Sequence, residues 1–461
     1  MSMNKIGQVI SSAPNSILVE IADLKIFEEN KRCLQVGRYL KIAEGNSDFV
    51  IAVINNVKGV NTPEDEKPQW TFVIECQAIG TLVDGKKFER GSILLPVPTE
   101  PVYAVDKDTL DKLFVSDDEF NFPFGTISLN RESPFNINGD RFFGKHIAVV
   151  GSTGSGKSCT VAKILQDVVG ITERKNANIG KQNNSHIIIF DIHAEYGAAF
   201  SLGEDQAFTL NMLGIDNLKL PYWLMNSEEL ESMFIESNEL NSHNQVSQFK
   251  QAVILNKEKH NPDVQEMTYD TPVYFSIDEV SRYIENMNRE MISRLEGENV
   301  PKLSDGTLVK HRKDCYFETI HDFVPQSTAK ATKATGGPFY GQFHRFVSRL
   351  ETRLADKRLK FLLHPQKDNG EPYETGDFEE IMKQFLGYLN KANVTIVDLS
   401  GIPFEVLSIT VSLISRLVFD FCFHYSKLRH EKESLNDVPV MIVCEEAHNY
   451  VPQDASAQYK A

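Results

Sequence analysis

The chain has 461 residues, 41% of them hydrophobic and 24% charged, which suits a globular protein long enough for two or three domains with sizeable cores. Its formal net charge is −16, so no whole-molecule basic field holds it on nucleic acid, although a ring whose channel shows a few basic residues needs none. The six cysteines, Cys33, Cys76, Cys159, Cys315, Cys422 and Cys444, lie far apart with no CxxC pair, which speaks against a disulfide framework or zinc knuckle and for a reducing, cytoplasmic compartment.

The N-terminus, MSMNKIGQVI, lacks the basic start and apolar run of a signal peptide. Residues 1–105 then read as strands. Thr71–Ile79 alternates, with Phe72, Ile74, Cys76 and Ala78 on one face, and Ser16–Ile21, Cys33–Ile42 and Asp48–Val57 are shorter runs rich in Val and Ile. Asp84-Gly85 is a hairpin-type turn. Many short strands with little helix predict a small N-terminal β-barrel or sandwich. Residues 106–142 are expected to be a linker with short helices, one opening at Ser116 and Glu119 with Val115 and Phe120 as a staple.

Near residue 143 the pattern changes. An apolar strand, His146–Val150, leads into a glycine-rich loop and a helix over Lys157–Val169, followed by a buried strand, His186–Phe190. This order predicts an α/β fold with a mostly parallel sheet, a RecA-like P-loop ATPase core whose first part is 143–220. Residues 221–390 are mostly helical, with polar loops at 296–315 and 326–341, and form an inserted helical subdomain. The sheet resumes in 391–461 with Val394–Asp398, a helix over about 403–428 and the strand Val438–Val443. The most apolar stretch, 394–423, is interrupted by Asp398, Glu405, Arg416 and Asp420, so no membrane span is expected.

The loop Gly151-Ser152-Thr153-Gly154-Ser155-Gly156-Lys157-Ser158 fits G-x-x-x-x-G-K-[ST]. Its glycines let successive N–H groups turn inward onto phosphate oxygens, and the helix that follows, through Cys159, aims its positive end at the same place. Lys157 is placed for the β- and γ-phosphates of ATP and Ser158 for Mg²⁺.

Such a site needs an acid for the metal and another for the attacking water. Val440–Val443 feeds Cys444-Glu445-Glu446-Ala447-His448, and this assigns Glu445 to Mg²⁺ and Glu446 to catalysis beside Lys157. His448 either senses the γ-phosphate or packs, with packing preferred. Asp191 and Glu195, after the strand that follows the loop helix, either orient water, read the state of a neighbouring subunit, or cap a turn. Asp398 sits at the crevice rim or, as preferred, caps a turn. Asp278-Glu279 is set aside, because Ser276 and Glu279 have capping-box spacing with Phe275 and Val280 as a staple. Arg345, Arg349, Arg353 and Lys357 recur every four residues and form either a phosphate-facing stripe or a solvated helix face. The loop with Lys330 and Lys333 is either a basic, flexible contact to DNA or a mobile surface loop, and Lys145 is a candidate contact to ATP across a subunit boundary.

Together these residues resemble the HerA branch of the HerA–FtsK ATPases. The N-terminal β region is similar to that family's small barrel, GSTGSGKS to its Walker A loop, and FDIHAEYG to its D-x-H-x-E-Y strand end, with Ile192 where proline is common. PYWLMNSEEL resembles the start of its helical insertion, TIVDLSGIPFEVL a later core strand and helix, and MIVCEEAHNYVP its Walker B region. The resemblance implies homohexameric rings that thread double-stranded DNA, partnered by a NurA-like nuclease or by a sirtuin-like or nuclease effector in antiphage defence. It also implies a further strand, a sensor segment and an arginine supplied to ATP after the Walker B region. The sequence is therefore expected to be C-terminally truncated at Ala461 and slow, since loss of such an arginine costs about 10³–10⁵ in rate.

Two functions follow as expectations. One is an ATP-driven DNA translocase or helicase, which the complete motor motifs favour. The other is a nucleotide-dependent ring that assembles and activates an effector, which the acidic net charge favours. A DEAH-type RNA helicase, suggested by Glu445–His448, lacks that class's other motifs here.

Overall fold

The alternating run around Thr71–Ile79 lies within a long strand, Lys67–Val83, that pairs antiparallel with Asp48–Glu64 on one side and Ser16–Ile21 on the other. The computed structural model describes all residues except 1–4, 46, 65–66, 92–94, 115–120, 128–129, 173–174, 177–184, 202–207, 237–240, 431–437 and 451–461. These residues divide into two units, 1–149 and 150–461. In the first, Ser16–Ile21, Lys5–Ala13, Pro101–Ala104, Tyr39–Glu44, Asp48–Glu64 and Lys67–Val83 pair in a ring, which closes a barrel and leaves no open edge among them. Phe72, Ile74 and Cys76 point into its core with Ile17, Val19, Leu40 and Val50. Lys87–Arg90 flanks the ring through a turn in which Asp84 (φ 50°) and Gly85 (φ 64°) are both left-handed, as a tight hairpin requires.

Two details differ from the sequence reading. The strand expected at Cys33–Ile42 begins only at Tyr39, after the short helix Leu24–Asn30 that Asp23 caps at the Lys25 N–H. Residues 106–142 contain, besides the helices Lys107–Phe114 and Gly139–Phe143, a hairpin of Asn121–Ile127 with Asn130–Asn138. The cap expected at Ser116 and Glu119, with Val115 and Phe120, lies outside the described residues.

The second unit is built on a parallel sheet in the order Thr209–Leu213, Asn393–Asp398, His186–Asp191, Val440–Cys444. His186–Asp191 is buried along its whole length, as a central parallel strand covered on both faces must be. Phe190 stands opposite Cys444 and Asp191 opposite Asp398, so the strands deliver their carboxylates to one C-terminal edge. The strand expected at His146–Val150 does not form. No described strand pairs with it, and Ile147, Val149 and Val150 are exposed (Val150 by 89%). Hydrophobicity alone does not make a strand without a ladder to join.

Between Leu213 and Asn393 the chain builds the helices Ser227–Phe234, Ser242–His260, Ile277–Arg289, His344–Ala355 and Phe378–Leu386. Asn226 and Glu229 form a reciprocal capping box, and Ser276 caps Ile277–Arg289 at the Glu279 N–H with Phe275 and Val280 buried alongside. Across 290–343 the only regular pairing among the described residues is Met291–Ser293 with Ala334–Gly336. The helices and the sheet share one contiguous core, from Ile188 and Phe190 through Trp223, Phe249 and Phe346 to Ile414.

The apolar stretch near residue 400 corrects one expectation. Phe404–Leu428 is 25 residues long and its most apolar 18 residues have mean hydropathy 1.8, long and apolar enough to cross a membrane by length and composition despite its charges. Half of those 18 residues are buried within the protein. Val406, Ile409, Leu413 and Ile414 join the core, and Arg416 is neutralised by Glu229.

Candidate functional site

The phosphate loop takes the backbone its glycines permit. Gly154 (φ 77°) and Gly156 (φ 88°) are left-handed, and Gly156 is the N-cap of the helix Lys157–Val168. A Cβ on Gly151 would crowd Ser155 Oγ, so a side chain there would displace that hydroxyl where the loop folds back on itself. Ser155 N–H donates to Ser152 O at 3.2 Å, which closes the turn. The helix start leaves N–H groups without intrahelical acceptors at Lys157, Ser158 and Cys159. Ser152, Thr153 and Cys159 are exposed.

Two acids approach this loop from the end of Val440–Cys444. Ser158 Oγ donates to Glu445 Oε1 at 3.2 Å, and Lys157 Nζ stands 3.8 Å from Glu446 Oε1 and 3.5 Å from Ser152 O. The other oxygen of Glu445 accepts the Ile192 N–H at 3.2 Å, a donor that proline at this position would lack. Tyr450 OH donates to the main-chain O of Glu445 at 2.8 Å. Glu446 is itself left-handed (φ 46°), a strained state for a side chain other than glycine, and its Oε2 lies 3.3 Å from His448 Nδ1.

Burial pushes the Glu445 carboxyl up, and the touching carboxyl of Asp191 adds to the rise, while the Ser158 hydroxyl opposes it. Two carboxyls in contact need a shared proton or a cation beside them. Glu445 and the Ser158 hydroxyl form an all-oxygen donor pair, with Asp191 behind Glu445, and no group of three His, Cys, Asp or Glu suited to a metal occurs among the described residues. That composition fits Mg²⁺, which takes one or two carboxylates and leaves positions for water and phosphate.

The remaining candidates divide. Asp191 is 1% exposed and accepts the N–H groups of Glu195 at 3.1 Å and Tyr196 at 3.0 Å, so of its alternatives the turn cap is the one formed. Glu195 is exposed near Glu445. The packing expected of His448 is corrected: its side chain is 73% exposed, and its Nδ1 faces the Glu446 carboxylate, a polar partner in place of an apolar one. Asp398 caps Ser400 N–H at 2.9 Å. Glu279 accepts from Asn256 Nδ2 at 2.6 Å and meets Lys259 and His260, as a structural group does. Lys145 belongs to the first unit and is exposed.

The basic stripe is partly neutralised. Arg349 pairs with Glu236 at 3.5 Å and Arg353 with Glu405 at 3.7 Å, while Arg345, Lys357, Lys330 and Lys333 are exposed. Sequence reasoning assigned no role to Tyr196, which is buried (3% exposed) beside the Ser158 hydroxyl, with its phenol pushed well up by burial and by Glu445. Its signal was its place as the tyrosine that ends the D-x-H-x-E-Y pattern, five residues beyond the strand-end acid.

Residues 122–418, more than half of the chain, match the family described as Helicase HerA, central domain. A relative named Probable helicase MJ1565, from Methanocaldococcus jannaschii, is 23% identical over 184 residues, 36% of this chain and 33% of that protein. The chain thus spans about a third of the length of that relative.

Proposed function

Since the chain belongs to the HerA helicase family, we propose that it is a Mg²⁺-dependent ATPase with a RecA-like P-loop core that acts in the cytoplasm as a homohexameric motor on double-stranded DNA. The observation that carries this reading is the convergence of Ser158 on Glu445 (3.2 Å) and Lys157 on Glu446 (3.8 Å) at the mouth of the glycine loop. Mg²⁺, when bound, offsets charge on the transferred phosphoryl group.

The chain's own groups divide the work. The loop N–H groups and the start of the Lys157–Val168 helix hold phosphate oxygens. Lys157 exchanges its present partner, Glu446, for phosphate. Ser158 and Glu445 provide oxygens for the metal, and Glu446 is the base or orienting carboxylate for water. His448, beside Glu446 and exposed, is placed to respond to what occupies the γ-phosphate position. Lys145 is a proposed contact to ATP bound by a neighbouring copy.

As partner for such a motor we propose a NurA-like nuclease or a sirtuin-like or nuclease effector, in DNA end processing or antiphage defence. The second reading is a nucleotide-dependent ring that activates the effector with translocation incidental. The net charge of −16 and the neutralised Arg349 and Arg353 favour it.

Hydrolysis measured with and without duplex DNA tests the motor. The expected result is DNA-stimulated turnover abolished by Lys157→Ala and by Glu446→Gln. Turnover indifferent to DNA, with a Glu446→Gln chain that still assembles and activates its partner, supports the scaffold instead. Activity that survives Lys157→Ala removes both.

A further inference from the structure

Both oxygens of Asp191 are committed inside the protein. One accepts the Glu195 N–H at 3.1 Å and the other the Tyr196 N–H at 3.0 Å, and the residue is 1% exposed. Its main-chain O accepts Leu399 N–H at 2.8 Å, which ties it to the neighbouring strand end. The turn so closed forces Ala194 into the left-handed region (φ 55°), a conformation that costs energy without such anchoring. Two members of this turn reach the phosphate site. The Ile192 N–H fixes one oxygen of Glu445, whose other oxygen meets Ser158, and the buried Tyr196 lies beside Ser158.

We propose that Asp191 is a positioning residue: it closes the 191–196 turn so that Ile192 N–H and Tyr196 set the Glu445 carboxylate against the Ser158 hydroxyl in the geometry that takes Mg²⁺. Asp191 neither activates water nor meets a neighbouring subunit in this role. It acts through Glu445, as outer groups that orient a ligand do. The inference rests on the Mg²⁺–nucleotide reading of the loop and names what holds that site in shape.

The test is nucleotide affinity, read with a fluorescent ATP analogue over a Mg²⁺ titration and in EDTA, on the full chain. Asp191→Asn keeps the size but turns one acceptor into a donor that faces the Tyr196 N–H. The Mg²⁺ concentration for half-maximal affinity is expected to rise about 10–100-fold, the usual effect of losing an outer-shell partner, while affinity in EDTA is unchanged. In a Glu445→Gln background the same substitution should add no further shift, because the two act in series. Ile192→Pro, which removes the N–H that reaches Glu445 and fixes φ at 192, should shift the Mg²⁺ requirement in the same direction with the Asp191 carboxylate intact, and serves if Asp191→Asn does not fold.

An unshifted Mg²⁺ requirement in Asp191→Asn, even with a lowered melting temperature, overturns the proposal and leaves Asp191 a purely structural cap. Full additivity with Glu445→Gln overturns it as well, in favour of an independent role. Nucleotide binding by the unmodified chain that Lys157→Ala does not diminish removes the phosphate-site reading itself, and the proposal with it.

Discussion

Ser158 and Glu445 are separated by 287 positions in the sequence and by 3.2 Å between Oγ and Oε1 in the structure. The hydroxyl sits in the first turn of a helix and the carboxylate at the end of a parallel strand. Ser158→Ala removes one of the metal's oxygens and leaves the loop N–H groups in place. Affinity for ATP with Mg²⁺ should fall at least about tenfold, and affinity in EDTA should not change. Equal losses under both conditions, in a fluorescence titration, would place Ser158 outside the metal site.

Lys157 now faces Glu446 at 3.8 Å, with both side chains about a third exposed. A triphosphate must displace that pair. Glu446→Gln removes the competitor, so nucleotide should bind more tightly, by up to roughly fivefold for a pair worth about 1 kcal/mol, while turnover falls about 10²–10⁴-fold. Isothermal titration gives the first quantity and phosphate release the second. Weaker binding in Glu446→Gln would show that the carboxylate helps to hold nucleotide.

Arg416 and Glu229 join the long helix to the insertion. Arg416 Nη2 lies 2.7 Å from Glu229 Oε2 and 2.8 Å from Leu224 O, and Glu229 is fully buried in its capping box. Arg416→Met leaves the carboxylate buried without its guanidinium and should cost about 3–5 kcal/mol. Urea unfolding of the full chain measures the loss, and Glu229→Gln added to Arg416→Met should recover part of it.

Lys257 is buried with its ammonium on the main-chain oxygens of Tyr269 (2.6 Å) and Thr271 (2.7 Å). Burial lowers it to about 8, against the partial support of Asp270. Between that value and its unfolded value near 10.5 the unfolded chain binds more protons, so this residue's contribution to stability rises with pH across that window. The neutral amine keeps two donors for its two carbonyls. Relative to Lys257→Met, the unmodified chain should gain up to about 3 kcal/mol from pH 8 to 10.5. A difference independent of pH, measured by urea unfolding, would show that the amine holds one protonation state throughout.

Local chemistry fixed much in advance. Glycine spacing dictated the left-handed Gly154 and Gly156, the alternation at Phe72, Ile74 and Cys76 dictated an inward barrel face, and Ser276 dictated a helix start. Each depends on neighbours within a few residues, which a sequence displays directly. Tertiary structure decided the rest. Three ends of the sheet carry acids, and only the sheet order puts Glu445 beside Ser158 while Asp191 turns to its own loop and Asp398 to Ser400. The apolar run 146–150 has a strand's composition and no ladder, and Arg349 and Arg353 have a stripe's spacing and acidic partners from distant segments. Pairing and ion contacts are non-local: they require a second piece of chain, and its position is set by how the whole core closes.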